Sequence, residues 1–311
     1  MLGLSLLAFL LLFTPTVQSY LGKSLTDYLL EKRDADISFG QVFVNPFGKA
    51  TFENVLVRDH QDDTLLHVRE ARFNAFRLRS FLEGSPNLGA LRLLGLKLNI
   101  QKYQGDSLSN LAIFGAKLKN ENKRKSPIRA RLVQVDDALV SISNYNKPSR
   151  KPMVFDSLQM RLNEFFLFGD SLTLEVDKMA FTETNYQFKA THLSTDFSYS
   201  STHMGLENLD IMTPNSKLSS DISFVYPQKG MRNFSQLVQI QSDVKSSSIS
   251  VEDLKSFFPS LGEGILNLET ATMIGTLESF HIKPLQLRYE DTFFSGDLVV
   301  NESEIGINID N

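Results

Sequence analysis

Cysteine is absent from the 311 residues of this chain. Its absence excludes disulfide bonds, thiolate metal sites, iron–sulfur clusters and cysteine nucleophiles together, so packing and hydrogen bonds must stabilise the fold. A large excess of one charge is also lacking, because 32 Lys and Arg residues face 36 Asp and Glu residues, a net charge of -4. Such a balance produces no overall field that would hold a polyanion, and we therefore expect no nucleic-acid partner.

Signatures of catalysis are missing as well. The sequence has no Walker loop, no Gly-x-Gly-x-x-Gly fingerprint and no Gly-x-Ser-x-Gly elbow, and its five histidines form no His-x-x-x-His pair. Asp136 and Asp137 are neighbours on a predicted strand, where they would point to opposite faces and could not share a glycosidase site unless a bulge intervened. We therefore predict no enzyme activity, no catalytic residue, no metal site and no cofactor.

The densest polar cluster is the segment from Asp59 to Asp63, which contains three carboxylates and His60. Such a set could in principle hold a metal ion. The segment lies, however, between two alternating runs, where Asp is favoured because its side chain accepts local backbone hydrogen bonds. We therefore interpret it as a hairpin turn.

The N-terminus is strongly apolar, since no charged residue occurs from Leu2 to Val17. Residues 1–19 are predicted to form a membrane anchor, and each Leu or Phe contributes about -0.3 to -0.6 kcal/mol to insertion. At about 1.5 Å per residue the run reaches about 24 Å, so that spanning a bilayer core of about 30 Å is marginal. A cleaved signal peptide is the alternative, because Val17 and Ser19 are small residues placed before a cleavage position. The anchor residues are Leu4, Leu6, Leu7, Phe9, Leu10, Leu11, Leu12 and Phe13.

Residues 20–34 are predicted to form an amphipathic helix, with Leu21, Leu25, Tyr28 and Leu29 on one face. This helix would either cap the end of a β core or lie on a lipid surface, and both roles are compatible.

Residues 35–311 show the alternation that is typical of β-strands. Its clearest example has Leu94, Leu96, Leu98 and Ile100 on one predicted face, with polar residues and Gly95 between them. Successive hairpins would pair such strands antiparallel. Because 24 phenylalanines accompany this pattern, we expect an extensive apolar surface.

Three short helices are predicted to interrupt the strands, near 78–82, over 107–117 and over 250–258. The third would begin with a capping box, in which Asp253 stands three residues after Ser250. The basic segment from Lys117 to Arg131 is interpreted as a solvated linker, because no aromatic residues alternate with its charges. Contact with anionic headgroups is the alternative.

Several segments resemble the N-terminal region of the TamB family, the inner-membrane component of the translocation and assembly module, which is related to AsmA-like proteins. Individually they are strand and turn patterns, but their order after an apolar helix is fairly specific and covers most of the chain. The segments are Pro15–Leu21, Asp36-Ile37, Phe47–Val55, Asp59–Leu66, Leu88–Tyr103, Gln104–Phe114, Thr213–Ser216 and Ser247–Phe258.

The resemblance implies a single-pass inner-membrane protein with most of its chain in the periplasm. It implies a long curled antiparallel β-sheet, an open trough with an apolar interior, that takes part in outer-membrane protein assembly and phospholipid movement. Family members are much longer, so we expect this chain to correspond to their N-terminal part. A C-terminal domain that engages an outer-membrane β-barrel partner would then be absent.

Physical reasoning supports a lipid-binding trough. A sheet with one apolar face must cover that face with a second sheet, by curling, or with a ligand. In a trough, phospholipid tails would be the ligand, and the expected lining residues are Phe39, Phe52, Leu56, Leu94, Leu96, Leu98, Ile100, Phe224 and Leu287. Two alternatives remain: these residues form the ordinary core of a closed β-sandwich that docks proteins, or, less favoured, the chain is an enzyme.

Overall fold

The computed structural model describes residues 36–45, 48–74, 87–118, 127–147, 149, 151–227, 233–255, 262–301 and 304–309, together with Tyr20, Lys23 and Asp27. These three residues are helical, and they lie in the segment 20–34, for which the sequence predicts an amphipathic helix. The predicted anchor, the rest of that helix and the helix predicted near 78–82 lie outside the described residues. Within the described part of the chain, no helix is long and apolar enough to cross a bilayer.

The protein is mainly β, as predicted, with one large mixed sheet of 17 strands and three short helices among the described residues. The strands are β1 (Ile37–Ser38), β2 (Gln41–Val44), β3 (Lys49–Arg58), β4 (Thr64–Asn74), β5 (Asn87–Lys102), β6 (Ile128–Asn144), β7 (Met153–Phe168), β8 (Ser171–Glu183), β9 (Phe188–Tyr199), β10 (His203–Met212), β11 (Lys217–Val225), β12 (Gln239–Val244), β13 (Ser247–Ser250), β14 (Ile265–Gly275), β15 (Phe280–Tyr289), β16 (Thr292–Asn301) and β17 (Glu304–Ile309). The helices are α1 (Asn110–Leu118), α2 (Phe234–Leu237) and α3 (Val251–Leu254).

The chain divides into two compact units. The first contains the described residues up to Arg161 together with Phe181–Asn185, and the second contains Leu162–Ala180 and Tyr186–Asn311.

One strand pair corrects the prediction of a wholly antiparallel sheet. β5 and β6 pair in parallel, with Leu93 opposite Val135 and Leu98 opposite Val140. A parallel pair requires a crossover, whereas a hairpin reverses the chain. α1 lies in the connection between these two strands.

Two of the predicted helices lie partly within the described residues. α1 begins at Asn110, inside the predicted range 107–117, and the Ser109 hydroxyl accepts a hydrogen bond from the backbone N–H of Ala112 at 3.3 Å. For α3 the predicted capping box is wrong, because Ser250 makes no side-chain cap hydrogen bond. The carboxylate of Asp253 instead accepts hydrogen bonds from the hydroxyls of Thr213 and Ser216, in the turn between β10 and β11. Local spacing suggested the box, but hydroxyls from another part of the chain compete for this carboxylate.

A row of irregular residues crosses four neighbouring strands of the first unit. Asn54 in β3, Gly95 in β5 and Asp137 in β6 have left-handed backbones, with φ of 50°, 63° and 58°. On β4, Arg69 lies between Val68 and Glu70, which pair with the residues on either side of Asn54 in β3 and of Gly95 in β5. Its guanidinium Nη2 donates to Asp137 Oδ2 at 3.3 Å. We call these four residues the crease row.

The crease row interrupts the alternation of side chains. Buried Phe52 in β3 and Ala71 in β4 are paired on one side of it, whereas Val55 and Val68 are paired on the other. Along each strand these apolar positions are three residues apart, although a regular strand returns to the same face every two residues. Left-handed residues in strands produce bulges that redirect the pleat. We infer that the crease row brings both apolar rows to one face of the first unit.

In the second unit, two apolar rows cross seven strands, from β9 to β16. They lie two residues apart on every strand, so they share a face. The first row is Phe197, Leu206, Ile222, Ser242, Met273, Ile282 and Leu298, and the second is Tyr199, Met204, Phe224, Ile240, Gly275, Phe280 and Val300. Of these 14 residues only Ile240 is buried, and nearly all the others are half-buried.

Candidate functional site

The apolar face of the first unit contains several of the residues predicted to line a groove. Leu96 is paired with Val68 in one row, and Leu98 is paired with Leu66 and Val140 in the next. Ile100 follows two residues later, opposite Ile142. Leu96 is buried, while Leu98 and Ile100 are half-buried. These three side chains therefore belong to a continuous apolar surface.

Two other predicted groove residues lie in polar rows. Leu94 is paired with Glu70 and Asp136, beside the crease row. Leu56 is opposite His67, which is in turn opposite Lys97. The two-residue alternation of the sequence predicted that Leu94 and Leu96 share a face, but Gly95 between them has a left-handed backbone that interrupts the alternation.

Aromatic rings cluster on the other side of the crease row. The Phe52 ring stacks on that of Phe73, with centroids 5.0 Å apart, and meets the edge of Phe39 at 5.1 Å. Phe52 is buried and Phe39 half-buried. Such pairs contribute about 0.5–1.5 kcal/mol beyond the area that they bury, so these two predicted groove residues stabilise the β2–β4 region.

The remaining two predicted groove residues lie in the second unit. Phe224 packs on a cluster of buried residues, Tyr226, Val238 and Ile240, and its ring is 6.0 Å from that of Phe234. Leu287 is paired with Leu268 and Phe294, and all three side chains are half-buried.

A buried polar network, which the sequence did not predict, lies at the end of β5. Asn110, the first residue of α1, is fully buried. Its Nδ2 donates to Asp59 Oδ2 at 2.8 Å and to the carbonyl of Asn99 at 3.0 Å, while its Oδ1 accepts from the backbone N–H of Gln101 at 2.8 Å. The one available sequence signal was an Asn at the start of an apolar helical run, a position that this residue favours.

Asp59 is the acceptor at the centre of this network. Its Oδ1 accepts from the backbone N–H groups of Gln61 and Asp63 at 2.9 and 3.1 Å, which confirms the predicted turn. Its Oδ2 also accepts from the Tyr103 hydroxyl at 2.7 Å. Burial tends to raise the pKa of Asp59, but the hydrogen bonds from Asn110, Tyr103 and the two backbone groups outweigh burial and lower the pKa.

The Tyr103 hydroxyl bridges Asp59 to Asp63, to which it lies at 2.9 Å. Burial, followed by these two hydrogen bonds and the charge of both carboxylates, raises the pKa of Tyr103. The phenol therefore remains a neutral donor.

His60 borders the same network. Its Nε2 is 2.9 Å from Asp106 Oδ2, and its ring meets the edge of Tyr103 with centroids 5.5 Å apart. Its Nδ1 is buried without a hydrogen-bond partner in the structure. Within the residues that the structure describes, no group of three or more His, Asp and Glu side chains is arranged to hold a metal ion.

A cavity of about 240 Å³ adjoins this network, between the β3–β4 turn and α1. Its lining includes Arg58 and His60 from the turn region, and Ile113, Phe114 and Lys117 from α1. The cavity thus combines apolar side chains with cationic ones.

No protein-family model matches the sequence. No curated protein matches it either.

Proposed function

We propose that this chain is a membrane-anchored protein of the cell envelope that shields phospholipid tails on the apolar faces of its β-sheet. The observation that carries the proposal is the pair of apolar rows in the second unit, which cross seven strands and contain a single buried residue. Half-buried aliphatic and aromatic side chains in such number indicate a face with room for a ligand.

Energetics favour a lipid tail as that ligand. Burial of apolar surface contributes about 0.8 kcal/mol per methylene, so carrying a tail of roughly sixteen carbons through water costs more than 10 kcal/mol. Transfer from a bilayer to an apolar sheet face is close to neutral. The protein then lowers the barrier by its surface alone, without a catalytic residue.

The resemblance to TamB extends the proposal to a location and a process. We place the chain at the inner membrane, anchored by residues 1–19, with residues 35–311 in the periplasm as a curled, open trough. In this role it would assist outer-membrane protein assembly and phospholipid movement, and an outer-membrane β-barrel would be its partner in the longer family members.

The experiment compares charged substitutions on and off the apolar face. Leu98→Asp places a carboxylate in an apolar row, whereas Lys97→Asp places the same group at an exposed neighbour on the same strand. Ile282→Asp and His281→Asp form the corresponding pair in the second unit. Native mass spectrometry of the detergent-extracted full chain measures the bound phospholipid, and circular dichroism reports whether each variant is folded.

We expect the wild type and the two exposed-site variants to retain phospholipid, and the two apolar-row variants to lose most of it while remaining folded. Wild-type lipid content in folded Leu98→Asp and Ile282→Asp would contradict the proposal. A wild-type chain that carries no lipid would instead favour a closed β-sandwich that docks proteins.

A further inference from the structure

The cavity beside α1 has features that the apolar faces lack. Three residues of α1 line it, and Lys117 follows Ile113 by four residues and Phe114 by three, as expected for neighbours on a helical face. The opposite wall includes Arg58, the last residue of β3, and Asp36, whose backbone carbonyl accepts from the Arg58 N–H at 3.0 Å. The cavity therefore presents two cations, one exposed carboxylate and two apolar side chains. Arg58 Nη1 also donates to the Asp62 carbonyl at 2.9 Å and to Asp62 Oδ1 at 3.3 Å, so a ligand would be bound by the other N–H groups of the guanidinium.

Asp59 also borders the cavity, but its oxygens serve the polar network. Each oxygen accepts two hydrogen bonds, so all the acceptor positions of this carboxylate are used. Asp59 therefore holds the turn in place and leaves recognition to the side chains around it.

The unpartnered nitrogen of His60 is an independent indication of a ligand. The Asp106 carboxylate is an acceptor, so His60 Nε2 carries the hydrogen of this 2.9 Å contact, and in a neutral imidazole Nδ1 is then an acceptor. Buried polar atoms almost always have a hydrogen-bond partner, and an exception calls for one. The matching group is an N–H or O–H donor.

We infer that this cavity binds a zwitterionic phosphate ester, in which the phosphate and an ammonium group are two carbons apart, as in the headgroup of phosphatidylethanolamine. The phosphate is held by Arg58 and Lys117, and the ammonium group by Asp36 and His60 Nδ1. Ile113 and Phe114 of the lining contact the carbon chain of the ester. The volume of about 240 Å³ corresponds to about eight water molecules, enough for a headgroup of this size.

The choice of a lipid headgroup rests on the proposed function, whereas free phosphoethanolamine shares the same chemistry. The test therefore has two arms. In the first, the full chain in a non-ionic detergent is equilibrated with equal amounts of phosphatidylethanolamine and phosphatidylglycerol of identical tails, and native mass spectrometry counts each bound lipid. In the second, calorimetry measures the binding of soluble O-phosphoethanolamine.

The variant is Asp36→Asn, because both lipids carry the phosphate that Arg58 and Lys117 hold and only phosphatidylethanolamine carries the ammonium group. Its matched control is Asp291→Asn, an exposed aspartate outside the cavity. We expect the wild type and the control to prefer phosphatidylethanolamine. Loss of one exposed charge contact should reduce that preference about fivefold in Asp36→Asn. The total amount of lipid should stay constant, since the apolar rows are unchanged.

The outcomes separate this inference from the proposed function. Lipid bound without headgroup preference, or with equal preference in Asp36→Asn, overturns the headgroup site and leaves the apolar faces in place. If no lipid binds but O-phosphoethanolamine does, and Asp36→Asn weakens it, the cavity is a site for the free zwitterion and the proposed function fails. Absence of binding in both arms overturns both.

Discussion

Replacing Asn110 by Ala tests the buried polar network at the start of α1. Asn110 is fully buried, and the substitution removes its hydrogen bonds to Asp59, to the carbonyl of Asn99 and to the N–H of Gln101. A buried polar group that loses its partner costs about 1–3 kcal/mol. Because three backbone groups lose theirs, namely the carbonyl of Asn99 and the N–H groups of Gln101 and Leu111, we expect the free energy of unfolding to fall by about 3–4 kcal/mol.

The control is Asn146→Ala, which deletes a similar set of hydrogen bonds at an exposed site. Asn146 Nδ2 donates to the carbonyls of Tyr103 and Asp106 at 3.1 and 3.0 Å, and its Oδ1 accepts from the Gly105 N–H at 2.8 Å. Water can replace these contacts, so the expected loss is below about 1 kcal/mol.

Urea unfolding followed by circular dichroism gives the free energies, and hydrogen exchange at the Gln101 amide localises the effect. Asn110→Ala should lower the midpoint clearly and accelerate exchange of that amide, whereas Asn146→Ala should do neither. Equal losses for the two variants would refute the reasoning, because the difference between them rests entirely on burial.

Three further predictions concern backbone, charge and packing. Gly95→Ala should lower the free energy of unfolding by about 1–2 kcal/mol, since the φ of Gly95 is 63° and the new Cβ would lie 3.0 Å from Arg69 Cβ. Gly115→Ala places its Cβ in open space on α1, so thermal melts should show this variant to be as stable as the wild type or more stable. Because the pKa of Asp59 is lowered in the folded state, the stability that this carboxylate contributes is complete above its ordinary pKa of about 3.9 and is lost as the pH falls through the lower folded value. Urea midpoints from pH 6 to pH 2 should therefore fall less steeply in Asp59→Asn than in the wild type, and parallel curves would count against this. Tyr226→Ala should lower the free energy of unfolding by about 3–5 kcal/mol, because it leaves a cavity in the buried cluster of the second unit. Tyr226→Phe removes only the hydrogen bond from the hydroxyl to the Ser200 carbonyl at 2.8 Å and should cost about 1 kcal/mol; similar losses for both variants would show that packing is not the dominant contribution.

The hydrophobic face of the first unit shows where sequence reasoning was limited. Alternation correctly placed a strand over 94–101, and the structure extends it to Asn87–Lys102. It also grouped Leu94 with Leu96, but Gly95 has a left-handed backbone that is matched by Asn54 and Asp137 in nearby strands. A glycine in a strand is only a weak signal for a bulge, and an Asn or Asp is a weaker one. The crease row could therefore be identified only from the pairing of the strands.

The polar network shows the same limit. The turn from Asp59 to Asp63 followed from local chemistry, because its hydrogen bonds lie within five residues. The roles of Tyr103 and Asn110 required contacts across more than 40 residues of chain. No local pattern encodes such distances.

The sequence by itself determined the β class, the positions of many strands and turns, and the presence of a helix near 107–117, because alternation, turn residues and helical patterns are properties of neighbouring residues. Only the tertiary structure decided the parallel pairing of β5 with β6, the partners of Asp253 and the rows in which apolar residues meet. Each of these depends on register between distant segments, and register is set by the summed packing and hydrogen bonding of whole strands.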